Sequence, residues 1–218
     1  MIHVPFWAPL LLVGSACATF IEAGKSLGYK VGVVTNARVT HATPASFIAH
    51  NGNRNNEDEI AFSIARNVSY DLLFGGGRSH FNNREDGVDL INSLEETHGF
   101  SYISSKSQLA SANLPVLGLF ANSHLDFELD RLNDPGSTQP SHSEMVSSAL
   151  NILSAQHDDD QPFMLIVEAG KIDLSSHNND PSTHYWEVHE YQNTIRGIIF
   201  YRVVSSIYVD VHFFFYFS

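Results

Sequence analysis

The sequence predicts an α/β protein, a mostly parallel sheet with helices on both faces. Two observations carry this. Short apolar runs bounded by turn residues recur along the chain, as buried strands require. Patterns of helical period fall between them, and strands separated by helices pair in parallel beneath a cover on each face. The strand runs are YKVGVVT (Tyr29–Thr35), YDLLF (Tyr70–Phe74), LPVLGLF (Leu114–Phe120) and PFMLIV (Pro162–Val167). The helical patterns cover Glu57–Asn67, Gly87–Thr97 and Ser141–Gln156, and a further helix is expected over Asp180–Asn193. Ser141 and Glu144 have capping-box spacing, and Pro181 suits the first position of the last helix. No internal repeat or linker divides the chain, so one domain is expected.

Both ends depart from this alternation. Residues 1–22 are an atypical apolar segment. Within it, residues 1–18 have the apolar run and small-residue ending of a signal peptide but no basic start, and fit a buried strand or helix equally. Residues 196–218 form an aromatic tail containing FFFYF (213–217); it reads as an edge strand, an aggregation-prone segment or a truncated gene product. Arg202, Asp210 and His212 argue against a membrane span there. The region 23–195 is therefore the expected domain.

Composition narrows the function. Of 218 residues, 43% are hydrophobic and 17% charged, which suits a packed core and argues against disorder. Twelve basic against twenty-four acidic residues give a net charge of −12, which disfavours nucleic acid as a partner. A single cysteine, Cys17, excludes an internal disulfide framework. Asn67-Val68-Ser69 is a glycosylation triplet, a pattern that also arises often by chance.

Two stretches hold the candidate chemistry, TNARVTHATPASFIAHNGNR (35–54) and VEAGKIDLSSH (167–177). Thr35 and Glu168 sit at the ends of predicted strands, so both stretches are expected to open onto one rim of the sheet. Glu168 ends an apolar run, so its carboxylate needs a partner. Asp173 and His177 share one face if a helical turn follows Ile172, and a carboxylate with an imidazole suits Zn2+. Thr43 and Glu168 are oxygen donors of the kind Mg2+ prefers. Arg54 has the planar fork that grips two phosphate oxygens. Each also has a plainer reading: Asp and His are common turn and surface residues, twelve histidines make a chance D-x-x-x-H expected, and Gly75-Gly76-Gly77 fits a tight turn as well as a phosphate cradle. His50, Asp71 and Arg78 read as structural. The residues by themselves favour a metal site and are compatible with phosphate as its ligand.

The motifs V-V-T-x-x-R-V-T-H-A-T-P-A-S, A-H-x-x-N-R, G-G-G-R, G-L-F-A-N, D-P-G and V-E-A-G-K-I-D-x-x-x-H occur in this order from Ala23 to Ile195. Together they resemble the middle of an alkaline phosphatase. The resemblance implies an alkaline phosphatase-like but partial domain, and metal-dependent hydrolysis of phosphate monoesters through a phosphoserine. It implies Mg2+ ligands at Thr43 and Glu168, Zn2+ ligands at Asp173 and His177, and a phosphate clamp at Arg54. His41 matches a position near the Mg2+ site and the phosphate pocket. A homodimer and an extracellular or cell-surface location, membrane-anchored in some members, are further expectations of the family.

The departures matter equally. No counterpart of the family's upstream metal-bridging Asp or nucleophilic Ser is found; Ser15 follows Gly14 where an Asp should stand, and lies too near His41. The second zinc's Asp-His pair and the first zinc's further His have no match. Phe120-Ala121 replaces the Phe-Glu of a calcium site some relatives carry, leaving Asp134 isolated. Two ligands fall short of the three that catalytic zinc usually takes. The expectation is a chain of phosphatase ancestry, weakly active or inactive by itself, with a non-catalytic metal- or phosphate-binding homologue or a gene-product fragment as the alternatives.

Overall fold

The computed structural model describes residues 17–155 and 162–205. Most of the signal-peptide segment, and residues 206–218 of the tail, lie outside them. Among the described residues the elements run α1 (Phe20–Ser26), β1 (Lys30–Arg38), α2 (Ala42–Ile48), α3 (Glu57–Arg66), β2 (Leu72–Gly76), α4 (Ser79–Asn82) and α5 (Leu90–His98). They continue with β3 (Ser101–Ile103), a 3-10 helix (Lys106–Ser111), β4 (Val116–Leu119), α6 (Glu128–Asn133), α7 (His142–Ala155), β5 (Phe163–Glu168), α8 (Gly170–His177) and α9 (Pro181–Ser205). The strands form one sheet in the order β3-β4-β2-β1-β5, and every pairing is parallel.

Alternation along the strands builds a core on each face. Val31 and Val33 of β1, Leu73 of β2, and Leu117 and Leu119 of β4 pack on one side with Ile60, Ile64 and Leu94 of α3 and α5. Val34, Leu72, Phe74 and Val116 point the other way, onto Met145, Val146, Leu150 and Leu153 of α7. Each such side chain taken fully out of water contributes about 1.5–3 kcal/mol. The capping box at α7 forms as the spacing predicts: Ser141 N–H donates to the Glu144 carboxylate at 2.7 Å, and Glu144 N–H to Ser141 Oγ at 3.1 Å. Asp180 caps α9, accepting from the Ser182 and Thr183 N–H groups, with Pro181 at the first helical position.

Three readings need correction. Of the readings open for the tail, the edge strand fails over residues 197–205, which continue α9, whose 25 residues pass well beyond Asn193. Strand β3 escapes an apolar-run search because it is only three residues long, SYI, and partly exposed. Strand β1 runs on to Arg38, past the apolar run, because Arg38 still pairs with Gly76 of β2. The glycine run serves packing and a turn. A Cβ on Gly76 would fall 2.1 Å from the Ser123 carbonyl oxygen, and Gly77, at φ +92°, donates to that same oxygen at 2.7 Å. Asp71 is structural as read, since it accepts from Lys25 Nζ at 2.8 Å and from Val31 N–H at 2.8 Å.

No helix among the described residues is long and apolar enough to cross a membrane.

Candidate active-site rim

The two motif stretches meet where β1 and β5 end. The register pairs Thr35 with Glu168 directly. Against β2, β1 bulges between Val34, opposite Phe74, and Arg38, opposite Gly76. Such a bulge re-aims side chains at a sheet's rim. Inside it Thr35 Oγ accepts from the Ala37 N–H at 2.9 Å and donates to Glu168 Oε2 at 2.7 Å, the partner that a carboxylate ending an apolar strand requires.

His41 leads into α2 and brings the phosphate-clamp candidate to this rim. Its Nε2 lies 3.4 Å from Arg54 Nη2, and its Nδ1 is buried without a hydrogen-bond partner among the described residues. Burial lowers the His41 pKa, and the nearby Arg38 and Arg54 guanidiniums lower it further, against the opposing pull of Glu168. The imidazole is therefore neutral at physiological pH. Arg54 is exposed and, among the described residues, pairs with no carboxylate. Its fork is thus available to an anion.

The neighbouring guanidinium is committed. Arg38 Nε and Nη2 donate to the two oxygens of Glu57 at 2.7 and 2.6 Å, and Thr40 Oγ donates to the same carboxylate at 2.6 Å. Burial pushes the Glu57 carboxyl up, but these bonds outweigh it and hold its pKa below the ordinary value. His80 bridges Glu57 and Asp58. His124 accepts the Arg38 backbone N–H at its Nδ1, and burial beside Arg38 drives its pKa down to about 3. Arg38, Glu57 and His124 were not picked out from the sequence. The pairs span 19 and 86 residues, and no local spacing announces such a contact.

Asp173 and His177 lie on α8, and the helical turn expected after Ile172 is present. Their Oδ2 and Nε2 are 3.4 Å apart, and both side chains are open to solvent. The start of α8 is tied to β1, since Asn36 Oδ1 accepts the Lys171 N–H at 3.1 Å. Thr43 sits exposed in the first turn of α2. The structure thus joins His41 to Arg54, Glu168 to Thr35, and Asp173 to His177. Among the described residues no three His, Cys, Asp or Glu side chains form a ready metal cage.

Comparison with known proteins extends the sequence motifs across the whole fold. The alkaline phosphatase family model matches residues 8–200. The chain belongs to the alkaline phosphatase family. It is 40% identical over 191 residues to an alkaline phosphatase of Schizosaccharomyces pombe, covering 80% of this chain and 35% of that protein. It is 36% identical over 213 residues to the repressible alkaline phosphatase of Saccharomyces cerevisiae, covering 84% and 37%. The chain therefore spans little more than a third of these relatives' length. Among solved structures, the Thermus thermophilus alkaline phosphatase superposes with a TM-score of 0.76 at 35% identity, covering 87% of this chain and 39% of that one. A mutant alkaline phosphatase from TAB5, solved with Mg bound, gives a TM-score of 0.74 at 25% identity, covering 88% and 54%. The parallel sheet described above is thus a part of the alkaline phosphatase domain.

Proposed function

We propose that this rim is the phosphate- and cation-binding part of a phosphate monoester hydrolase centre. The observation that carries the proposal is Arg54, an exposed guanidinium without a carboxylate partner among the described residues, set against a neutral His41 whose surroundings include Glu168. An unpaired arginine fork accepts two phosphate oxygens in parallel, and a neutral imidazole beside it adds no competing charge.

The donor set fits hard cations in part. Among the described residues Glu168 Oε1 has no hydrogen-bond partner, and Thr43 offers an exposed hydroxyl, the oxygen chemistry Mg2+ takes. Asp173 and His177 offer the mixed oxygen and nitrogen donors of zinc, but only two of them. When bound, such ions polarise the phosphoryl group and neutralise its charge. What these residues do themselves is to grip the phosphate at Arg54, keep His41 unprotonated, and hold Glu168 in one orientation through Thr35.

By itself this chain is proposed to turn over weakly or not at all, because neither a nucleophilic serine nor the second zinc's ligands are identified in it. The homodimer and the extracellular or cell-surface location belong to this proposal as properties of the family. The two-ligand count at α8 favours a second reading, a homologue that binds cation or phosphate without catalysis. Assay with p-nitrophenyl phosphate at alkaline pH, with Zn2+ and Mg2+ supplied, separates the two when paired with calorimetry of inorganic phosphate. Phosphate binding lost in Arg54→Ala, together with weak turnover, supports the proposal; the same binding with no turnover supports the second reading; failure to bind phosphate at all refutes both.

A further inference from the structure

The loop between α2 and α3 carries an Asn-Gly pair with no packing duty. Asn51 is the one asparagine of the chain that precedes a glycine. Residues 51–56, Arg54 included, are all exposed. The Gly52 backbone lies outside the left-handed region, and a Cβ there would meet nothing within 4 Å. Asn51 Oδ1 accepts the Asn53 N–H at 2.9 Å, so its carboxamide folds forward across the Gly52 amide. Asn53 is itself held, its side-chain oxygen accepting the Asn55 N–H at 3.0 Å and its carbonyl the Asn56 N–H at 3.1 Å. Among the described residues, the Gly52 N–H and Asn51 Nδ2 have no hydrogen-bond partner.

We propose that Asn51 is a site of spontaneous modification: Gly52 N displaces its amide as ammonia and leaves a carboxylate on the loop that carries Arg54. Water is the only co-reactant. Gly52 N gives its proton to hydroxide and bonds to Asn51 Cγ; the Cγ–Nδ2 bond breaks, and Nδ2 departs as ammonia with a proton from water. Water then opens the succinimide ring, at Cγ to give aspartate or at the backbone carbonyl to give isoaspartate, whose chain runs through Cβ. Three features favour the attack. The exposed Gly52 N–H has no protein hydrogen bond to break. Glycine brings no Cβ to crowd the attacking nitrogen and turns freely toward Cγ. The Asn53 N–H points at Oδ1, the oxygen that becomes anionic as the new bond forms. The product is a negative charge beside Arg54 in sequence, where it competes with phosphate for the guanidinium. That consequence rests on the reading of Arg54 as the phosphate clamp.

The test ages the full chain at alkaline pH and follows it by peptide mass spectrometry, ammonia release and enzymatic methylation of isoaspartate, beside Asn51→Gln and Gly52→Ala. Conversion is expected at Asn51 ahead of every other asparagine, faster as pH rises, and slowed at least about tenfold in Gly52→Ala. Gly52→Ala should melt with the wild type, because its methyl group enters open space. Calorimetry with inorganic phosphate then compares the fresh chain, the aged chain and Asn51→Asp. The last two should bind about two- to fivefold more weakly than the first, the worth of an exposed charge pair. Ageing Asn51→Gln in parallel should leave its affinity unchanged. Conversion spread evenly over the asparagines, or unslowed by Gly52→Ala, would overturn the site. Prompt conversion at Asn51 with full phosphate affinity in Asn51→Asp would overturn its effect on Arg54. A fresh chain that binds no phosphate refutes the phosphate reading of the rim, and the mass readout then decides the modification by itself.

Discussion

Asn36 at the end of β1 donates through Nδ2 to Glu187 Oε2 on α9 at 3.3 Å, a buried bond between residues 151 apart. The same two side chains tie in two more elements: Asn36 Oδ1 accepts the Lys171 N–H of α8, and Glu187 Oε1 accepts the Glu128 N–H of α6 at 2.7 Å. This polar junction fixes where α8, and with it Asp173 and His177, begins relative to β1. Burial pushes the Glu187 carboxyl up to about 7, despite the Glu128 N–H and the nearby Lys171 ammonium.

That shift has a definite sign. The folded chain keeps the Glu187 proton to about pH 7, while the unfolded chain releases it near 4.5. This group's contribution to stability is therefore greatest below pH 4.5 and is lost as pH rises toward 7, by something on the order of 3 kcal/mol. Glu187→Gln, which cannot ionise, should flatten that part of the pH-stability profile in urea unfolding, even if the altered bond to Asn36 lowers stability overall. A mutant profile with the wild-type slope between pH 5 and 7 would show that another group is responsible.

Arg54 is exposed and bears no packing load, so its removal should affect ligand and not fold. Arg54→Ala is expected to weaken inorganic phosphate binding by about 1.5–3 kcal/mol, the worth of hydrogen bonds to a charged group, with the melting temperature unchanged. Arg54→Lys, a point charge without the fork, should fall between the two. Calorimetry with phosphate measures both.

Glu57 presents the opposite case. Its pair with Arg38 is mostly shielded, with side chains 15% and 20% exposed, and it also accepts from Thr40. Glu57→Gln strands the Arg38 guanidinium beside His124 and should cost about 2–4 kcal/mol in denaturant unfolding, somewhat less than a fully buried pair. Because the folded pKa of Glu57 is lowered, its contribution is present above its ordinary value and is lost as pH falls through the folded one.

Gly76 is required by backbone approach rather than by flexibility. A methyl group there meets the Ser123 carbonyl oxygen at 2.1 Å, and the contact is main chain, which cannot rotate away. Gly76→Ala should destabilise by about 3 kcal/mol, the upper part of the range for overpacking, read as a lowered denaturation midpoint. An alanine variant as stable as wild type would show that the Ser123 loop can move.

Much of the fold was legible because its signals are local. Apolar runs located four of the strands within a few residues, Ser141 and Glu144 marked the start of α7, and the D-x-x-x-H spacing anticipated the shared face of Asp173 and His177. The expectation that Thr35 and Glu168 open on one rim also holds, down to a hydrogen bond between them. What escaped had no local signal. Strand β3 is too short to show a period, and the β-branched, aromatic residues 197–205, for which an edge strand was one of the open readings, extend a helix already begun at Pro181. There, continuation of an established helix outweighed intrinsic β preference, which is strongly context-dependent.

The chain's own order of residues determined the parallel architecture, the family, and which side chains carry oxygen, nitrogen and guanidinium groups, since these follow from periodicity and motif spacing. Only the folded structure decided which arginine is spent and which is available. Arg38 and Arg54 are alike as letters, but Glu57 and His124 close around the first while the second stands open beside His41. That distinction rests on contacts between residues brought together by sheet register and helix packing, and a free guanidinium differs from a paired one only through what lies next to it in space.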